Sequence, residues 1–252
     1  MEILGFQHPG WLSNSWLVFE PGERAAVLID AGAPFESVLA ELEARELDLR
    51  YVLNTHHHYD HVCENPRYRE RFDCEVLAHR SEAERVPACT GSLADGERLR
   101  CGGLELETLH IPGHTCGQLA FLIEGQACFT GDTLFAGSVG GTRGPGHTSL
   151  EDLRCSIMER LMALLPETDL YPGHAGVTTV ADEWQQNPFI RAFRGLDELI
   201  SEPCRAYGEP AILKLFSEDY DGGYKAWVRF CNDRGAQAEA IVAGSKVERG
   251  QA

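Results

Sequence analysis

The stretch Thr55-His56-His57-His58-Tyr59-Asp60-His61 constrains this chain more than any other, with four histidines and an aspartate in seven residues. It follows Tyr51-Val52-Leu53, a short apolar run that reads as a buried strand. Packing gives no reason for such a cluster at a strand end, whereas a metal site does, because imidazole and carboxylate suit zinc and similar divalent ions. Alternate residues of an extended segment point the same way, so His56 and His58 can aim at one ion while His57 points elsewhere. Asp60 and His61 lie just beyond and can turn towards a second ion.

Three further strand ends supply ligand-type residues. Pro112-Gly113-His114-Thr115 follows the run 104–110, Thr130-Gly131-Asp132-Thr133 follows 127–130, and Tyr171-Pro172-Gly173-His174 follows 169–171. Each places a glycine directly before the ligand candidate, which permits a sharp exit and a close backbone approach. Strand ends gathered at one edge of a sheet are where sites form. Five of the ten histidines are ligand candidates, a joint occurrence that hydrogen-bonded packing does not account for.

The rest of the chain frames these ends. Apolar runs at 16–19 and 26–29, joined by the turn Pro21-Gly22, read as a hairpin, and 75–78, 104–110, 119–123, 127–130 and 169–171 read as further strands. Helices are expected at 35–46, 64–71 and 81–86, from the capping pattern Thr148-Ser149-Leu150-Glu151 to about 164, and at 187–200. Alternating strands and helices with N-terminal hairpins predict an α/β (α+β) chain of two mixed sheets with helices outside. Residues 1–200 form the expected catalytic domain. Residues 205–252 carry three short strand-like runs, at 211–215, 224–230 and 239–242, and form a small β-rich appendage.

The chain has 252 residues and a formal net charge of -17. That field repels phosphate backbones and anionic lipid, so a small-molecule substrate is expected, with no nucleic acid and no membrane. No apolar run reaches the roughly 20 residues that cross a bilayer. The nine cysteines are scattered and form no C-x-x-C pair, which points to reduced thiols and a cytoplasmic setting rather than a disulfide framework.

Taken together, Thr-His-x-His-x-Asp-His, Gly-His-Thr, Gly-Asp-Thr-Leu-Phe and Tyr-Pro-Gly-His resemble the metallo-β-lactamase-fold hydrolases, in particular the glyoxalase II (hydroxyacylglutathione hydrolase) branch, over about the first 190 residues. The resemblance implies an αββα sandwich with a two-metal site on one edge. It implies that His56, His58 and His114 bind one ion, that Asp60, His61 and His174 bind the other, and that Asp132 bridges them. Two divalent ions follow, zinc before iron or manganese, and hydrolysis of a thioester or similar small ester by a hydroxide held between them, with Asp60 and Asp132 as catalytic groups. A thiolate leaves without protonation, so no dedicated acid is needed. Two departures separate the chain from glutathione-specific relatives: Gln118 stands where the family often has histidine, and the C-terminus is strand-like rather than helical. The rival readings are a mononuclear-iron persulfide dioxygenase on His56, His114 and Asp132, and a phosphodiesterase or non-catalytic member of the fold.

The remaining polar residues have plainer expectations. His57 supports the site or packs, His110 packs at its strand end, and His79 and His8 lie on the surface. Asp30 orients a ligand or caps a turn. Arg143 and His147, in the glycine-rich loop 137–147, are candidate substrate contacts. Tyr220, Asp221, Tyr224 and Trp227 form either a recognition face or the appendage's own core, and the core is the expectation taken here. Cys63 and Cys116 flank ligand motifs without a basic partner, so neither is proposed as a nucleophile.

Overall fold

The computed structural model describes residues 1–231 and 238–250. The first sheet is built in chain order from β1 (Glu2–Gln7), β2 (Asn14–Phe19), β3 (Ala25–Ile29), β4 (Asp48–Leu53), β5 (Glu75–His79) and β6 (Gly91–Leu93). Its first three strands are antiparallel and its last four run parallel. After β7 (Arg98–Cys101), β8 (Leu104–His110), β9 (Leu119–Ile123) and β10 (Ala127–Gly131), the short hairpin β11 (Leu134–Phe135) and β12 (Ser138–Val139) precedes β13 (Asp169–Pro172) and β14 (Thr178–Thr179). The second sheet has the order β14-β13-β10-β9-β8-β7, with β10 and β13 parallel.

The period-2 pattern of the strands explains the sandwich. On β2 and β3, Leu17, Phe19, Ala26 and Leu28 face helices α1 (Phe35–Ala44) and, beyond the short α2 (Tyr59–Val62), α3 (Asn65–Phe72). The alternate residues Val18, Val27 and Ile29 face inward and meet Leu106, Phe121 and Phe129 of the second sheet. The second sheet's outer face, with Ala120 and Cys128, is covered by α4 (Leu150–Cys155), α5 (Val180–Gln186) and α6 (Pro188–Phe193). Helices therefore cover both outer faces, giving the expected αββα arrangement.

Several boundaries differ from the sequence expectation. The helix opened by Ser149 relaxes into wider π-helical turns over Ser156–Leu161. The stretch expected at 81–86 is a single 3-10 turn at Ala83–Arg85. The helix expected at 187–200 ends early, as α6 (Pro188–Phe193), and an unexpected helix, α5 (Val180–Gln186), precedes it across Asn187. Pro188 cannot continue a preceding helix, and the Asn187 side chain accepts from the Phe189 and Ile190 amides to start a new one.

The C-terminal segment is a five-stranded antiparallel sheet of β15 (Glu202–Ala206), β16 (Glu209–Glu218), β17 (Tyr224–Phe230), β18 (Glu239–Ala243) and β19 (Val247–Arg249). β15 and β19 were not expected, because each is short and largely polar and β15 carries Pro203. One face makes its own core around Leu213, Val228 and Phe230. The other packs on the second sheet's helical layer, where Ile241 is fully buried and Trp227 meets Phe193 edge-on at 5.5 Å. A register shift between Leu213 and Leu215 bends β16, and it sends Leu213 to the sheet's own core and Leu215 towards the helical layer. Trp227 thus serves the joint between the two parts, not the appendage's own core.

Because Ile241 fills that joint, Ile241→Ala is expected to destabilise the chain by about 2–5 kcal/mol. Urea unfolding followed by tryptophan fluorescence measures this; a variant as stable as wild type would mean that the sheet is not packed on the body.

Candidate metal centre

Every ligand candidate leaves the end of a strand. β4 runs into His56, His58, Asp60 and His61, with Asp60 and His61 on the single turn α2. The ends of β8, β10 and β13 deliver His114, Asp132 and His174. Among the described residues, His56, His58 and His114 form one group whose ligand atoms lie within 4.8 Å of one another, and Asp60, His61 and His174 form another. Asp132 stands between them. Its Oδ2 is 3.9 Å from His56 Nε2, 3.6 Å from His114 Nε2 and 3.5 Å from His174 Nε2, and its Oδ1 is 3.4 Å from His61 Nε2. Asp60 Oδ2 lies 3.5 Å from both His61 Nε2 and His174 Nε2.

The outward nitrogens show which atoms are left for an ion. His61 Nδ1 donates to Asp30 Oδ2 at 2.9 Å, His114 Nδ1 to the Gly141 carbonyl at 2.8 Å, and His58 Nε2 to the Pro145 carbonyl at 3.0 Å. Thr55 Oγ1 donates to Asp30 and can therefore accept from His56 Nδ1, 3.0 Å away. The inward nitrogens of the neutral rings His56, His58 and His114 then carry lone pairs, and those of His58 and His114 face each other at 3.0 Å. Among the described residues, His56 Nε2, His61 Nε2 and Asp132 Oδ1 are buried with no hydrogen-bond partner. Lone pairs that face each other in a buried space are favourable around a cation, so the donor set fits a pair of divalent ions. Gly173 keeps that space open: a Cβ there would lie 2.2 Å from Asp132 Oδ1 and 2.9 Å from His61 Cε1.

The two groups differ electrostatically. Burial pushes His56 well below the usual imidazole range, His58 below it, and His114 down to about 4, so these three stay neutral. Burial also opposes charge on His61 and His174, but the Asp132 carboxylate outweighs it, helped by Asp30 and Asp60 at His61 and by Asp60 at His174. They rise to about 8 and about 10. Burial raises Asp132, yet the charges of His174 and His61 more than offset it and hold the carboxyl well below the carboxylate range.

The structure answers the plainer expectations one by one. Asp30 both orients a ligand and anchors the loop, accepting from the Thr55 amide at 2.7 Å. His57 turns away from the ligands, its Nδ1 lying 2.8 Å from Glu82 Oε2. His8 stacks on the partly exposed Trp11. His110 packs as expected, but against His79, 4.2 Å away and parallel, and His79 is buried rather than on the surface. In loop 137–147 the backbone meets the ligands, through Gly141 and Pro145, while Arg143 lays its guanidinium over Phe230 at 4.1 Å and His147 Nδ1 donates to the Gly144 carbonyl. Tyr59 is largely exposed beside Asp60. Tyr220 is not in the appendage's core: its ring stacks on His174 at 4.6 Å and 17°. Tyr224 stacks on Phe216 and stays half exposed.

Sequence reasoning missed two supports. Buried Glu82 accepts from the His57 amide at 3.1 Å and the Gly117 amide at 2.7 Å, tying the cluster to the loop that carries His114. Asn14 donates to the Pro172 and Ala175 carbonyls at 3.1 and 2.9 Å and so fixes the loop of His174. Neither has a local signal, since their partners lie far away in the chain.

A cation must displace protons held on His61 and His174 up to about pH 8 and 10, whereas His56, His58 and His114 are already neutral. Lowering the pH from 8 to 6 is therefore expected to empty the Asp60–His61–His174 position first, which metal analysis after dialysis at each pH would show as a fall towards half the starting content. Burial raises the Glu82 carboxyl, but hydrogen bonds from His57, Thr115 and Gly117 outweigh it and bring the value from 4.5 to about 2. The depressed value means that this stabilisation is complete above pH 4.5 and lost as the pH falls through about 2. Glu82→Gln should therefore flatten the acid limb of stability by about 3 kcal/mol, read by urea unfolding at stepped pH.

Comparison with known proteins agrees with this geometry. Residues 8–174 match the Metallo-beta-lactamase superfamily. Hydroxyacylglutathione hydrolase GloC of Haemophilus influenzae is 32% identical over 190 residues, which cover 68% of this chain and 89% of that protein. The hydroxyacylglutathione hydrolase of Methylococcus capsulatus is 39% identical over 160 residues, 63% of this chain but only 60% of that protein, less than two thirds of its length. Among solved structures, ETHE1 from Myxococcus xanthus superposes with a TM-score of 0.68 at 29% identity, covering 78% of this chain and 92% of that one. TTHA1623, solved in a di-iron-bound form, gives 0.65 at 34%, covering 75% and 100%. With strand ends, ligand groups and sequence in agreement, this chain belongs to the metallo-beta-lactamase superfamily, on its glyoxalase II-like branch of metallohydrolases.

Proposed function

We propose that the chain is a metal-dependent hydrolase of a thioester or similar small ester, with residues 1–200 as its catalytic domain. The observation that carries this reading is Asp132, placed within 4 Å of imidazoles from both ligand groups. His56, His58 and His114 would hold one divalent ion, Asp60, His61 and His174 the other, and Asp132 both, with zinc the metal we propose. When bound, such ions supply Lewis acidity and lower the pKa of water towards neutrality.

The chain's own groups then set the geometry of attack. Asp60 is the more open of the two carboxylates, its side chain 28% exposed against 9% for Asp132. It can accept a hydrogen bond from an attacking water and hold one lone pair towards the acyl carbon. Asp132, buried and ionised, fixes the inner end of the site. No described group in the ligand cluster is set up as a separate proton donor to a leaving group, and a thiolate needs none. Arg143 and His147 remain our proposed substrate contacts on the loop rim, alongside the backbone that orients His58 and His114. The free thiols of the nine cysteines favour a reducing, cytoplasmic setting. Among the described residues no helix is long and apolar enough to cross a membrane.

The rival reading, one iron on His56, His114 and Asp132 with a persulfide and oxygen, leaves Asp60, His61 and His174 without work. Their convergence within 4.8 Å favours the hydrolase.

Asp132→Ala is expected to lose bound metal and to reduce thioester hydrolysis at least a thousandfold, tested with elemental analysis and a panel containing S-lactoylglutathione, simple acyl thioesters and a phosphodiester. Retained turnover with full metal content would overturn the proposal, and oxygen uptake on a persulfide by a one-iron protein would favour the rival.

A further inference from the structure

The turn between β16 and β17, Asp219-Tyr220-Asp221-Gly222-Gly223, lies far from the ligand motifs in sequence and directly on them in space. The Tyr220 ring covers His174 at 4.6 Å and meets Phe135 edge-on at 5.0 Å. Among the described residues its hydroxyl makes no hydrogen bond, while Asp132 and Asp60 are among the carboxylates whose charge reaches it. Tyr220 is only half-buried, so this O–H is left available to a ligand at the group of Asp60, His61 and His174.

The turn is held in place from several sides. Asp219 Oδ1 accepts from Ser138 Oγ at 2.8 Å, on the hairpin that follows Asp132. Its Oδ2 lies 2.9 Å from Lys225 Nζ, in a pair whose side chains are only 6% and 10% exposed. Lys225 also lies 5.6 Å from the centres of both the Phe135 and Tyr220 rings. A buried ion pair fixed by a third hydrogen bond is costly to form and specifies one geometry. Here that geometry is the placement of Tyr220 on His174. The same sheet holds the other side of the site, since Ile241 exchanges hydrogen bonds with Thr142, next to the Gly141 carbonyl that orients His114.

We propose that the C-terminal sheet completes the active site and that Tyr220 is a substrate-contacting residue, its hydroxyl donating to the acyl oxygen of an ester or thioester seated beside Asp60, His61 and His174. The inference rests on the hydrolase reading. The Tyr220 hydroxyl transfers no proton; it offers a fixed hydrogen bond that strengthens as negative charge grows on that oxygen, so its effect falls on kcat more than on KM.

The test compares wild type, Tyr220→Phe and Tyr220→Leu as full-length, zinc-loaded proteins. Tyr220→Phe keeps the ring on His174 and removes only the donor. The expected result is a tenfold to hundredfold fall in kcat with KM within about twofold, and unchanged zinc content and melting temperature. Tyr220→Phe at wild-type kcat overturns the assignment, even if Tyr220→Leu is slow, because the ring alone would then matter. Loss of zinc in Tyr220→Phe overturns it as well, by making the residue a support for His174. If the wild-type protein hydrolyses no member of the panel, the hydrolase reading falls separately. Tyr220 is then judged by calorimetric titration of lactate into the zinc-loaded proteins: binding at least fivefold weaker in Tyr220→Phe supports a hydroxyl that meets ligand oxygen, and equal or absent binding overturns it.

Discussion

The Asp30 carboxylate is the interaction on which the site depends. It is 2% exposed and accepts from the Thr55 amide, the Thr55 hydroxyl and His61 Nδ1. Burying a carboxylate costs several kcal/mol unless donors converge on it, and here three do. Asp30 adopts a left-handed φ of 58°, a conformation uncommon outside glycine, which turns the end of β3 across the end of β4. Through Thr55 it fixes the start of the ligand cluster, and through His61 its end. Gly32 allows the same closure from the other side: a Cβ there would lie 1.6 Å from the Asp60 carbonyl. Two candidate ligand positions, His56 and His61, thus inherit their orientation from one side chain.

The candidate ligands are legible in the sequence because each carries a local mark. The Thr55–His61 cluster is dense, and His114, Asp132 and His174 each follow a glycine at the end of an apolar run. The strands behind them were legible for the same reason, since alternation is written into neighbouring residues. What supports the ligands is written nowhere locally. Glu82 sits in a segment that reads as a short helix, and only the folded chain turns its carboxylate inward to His57 and Gly117. Asn14 is an ordinary strand residue until β13 comes alongside. His79 reads as a surface histidine at the end of a strand, but His110 arrives from the second sheet and covers it. Contacts across the two sheets carry no spacing rule, and these are the ones that sequence reasoning loses.

The C-terminal sheet shows the same limit on a larger scale. Its strands at 211–215, 224–230 and 239–242 are readable, and their apolar residues imply a small β-rich appendage. The bulge in β16 is not readable, and one extra residue there sends Leu213 and Leu215 to different layers. The sheet consequently has two apolar faces, one for itself and one for the helical layer of the sandwich. Trp227 and Ile241 join the helical layer over the second sheet, so a segment that resembled an addition shares the core of the body it joins.

That shared core bears on how the two ligand groups are tuned. The group of His56, His58 and His114 is kept neutral by burial, and two of its three rings are oriented by carbonyls of loop 137–147. A carbonyl can orient an imidazole only as firmly as its own loop is held, and Thr142, beside Gly141, is paired with Ile241 of β18. The group of Asp60, His61 and His174 is governed instead by carboxylates, Asp132 at both rings, with Asp30 and Asp60 at His61 and Asp60 at His174. One side of the centre therefore answers to backbone dipoles that the C-terminal sheet holds in place, and the other to charges fixed within the sandwich. Loosening the sheet should disturb the first group through its orienting carbonyls and the second through the Tyr220 ring on His174, while the carboxylates of Asp30 and Asp60, which belong to the sandwich, stay in place.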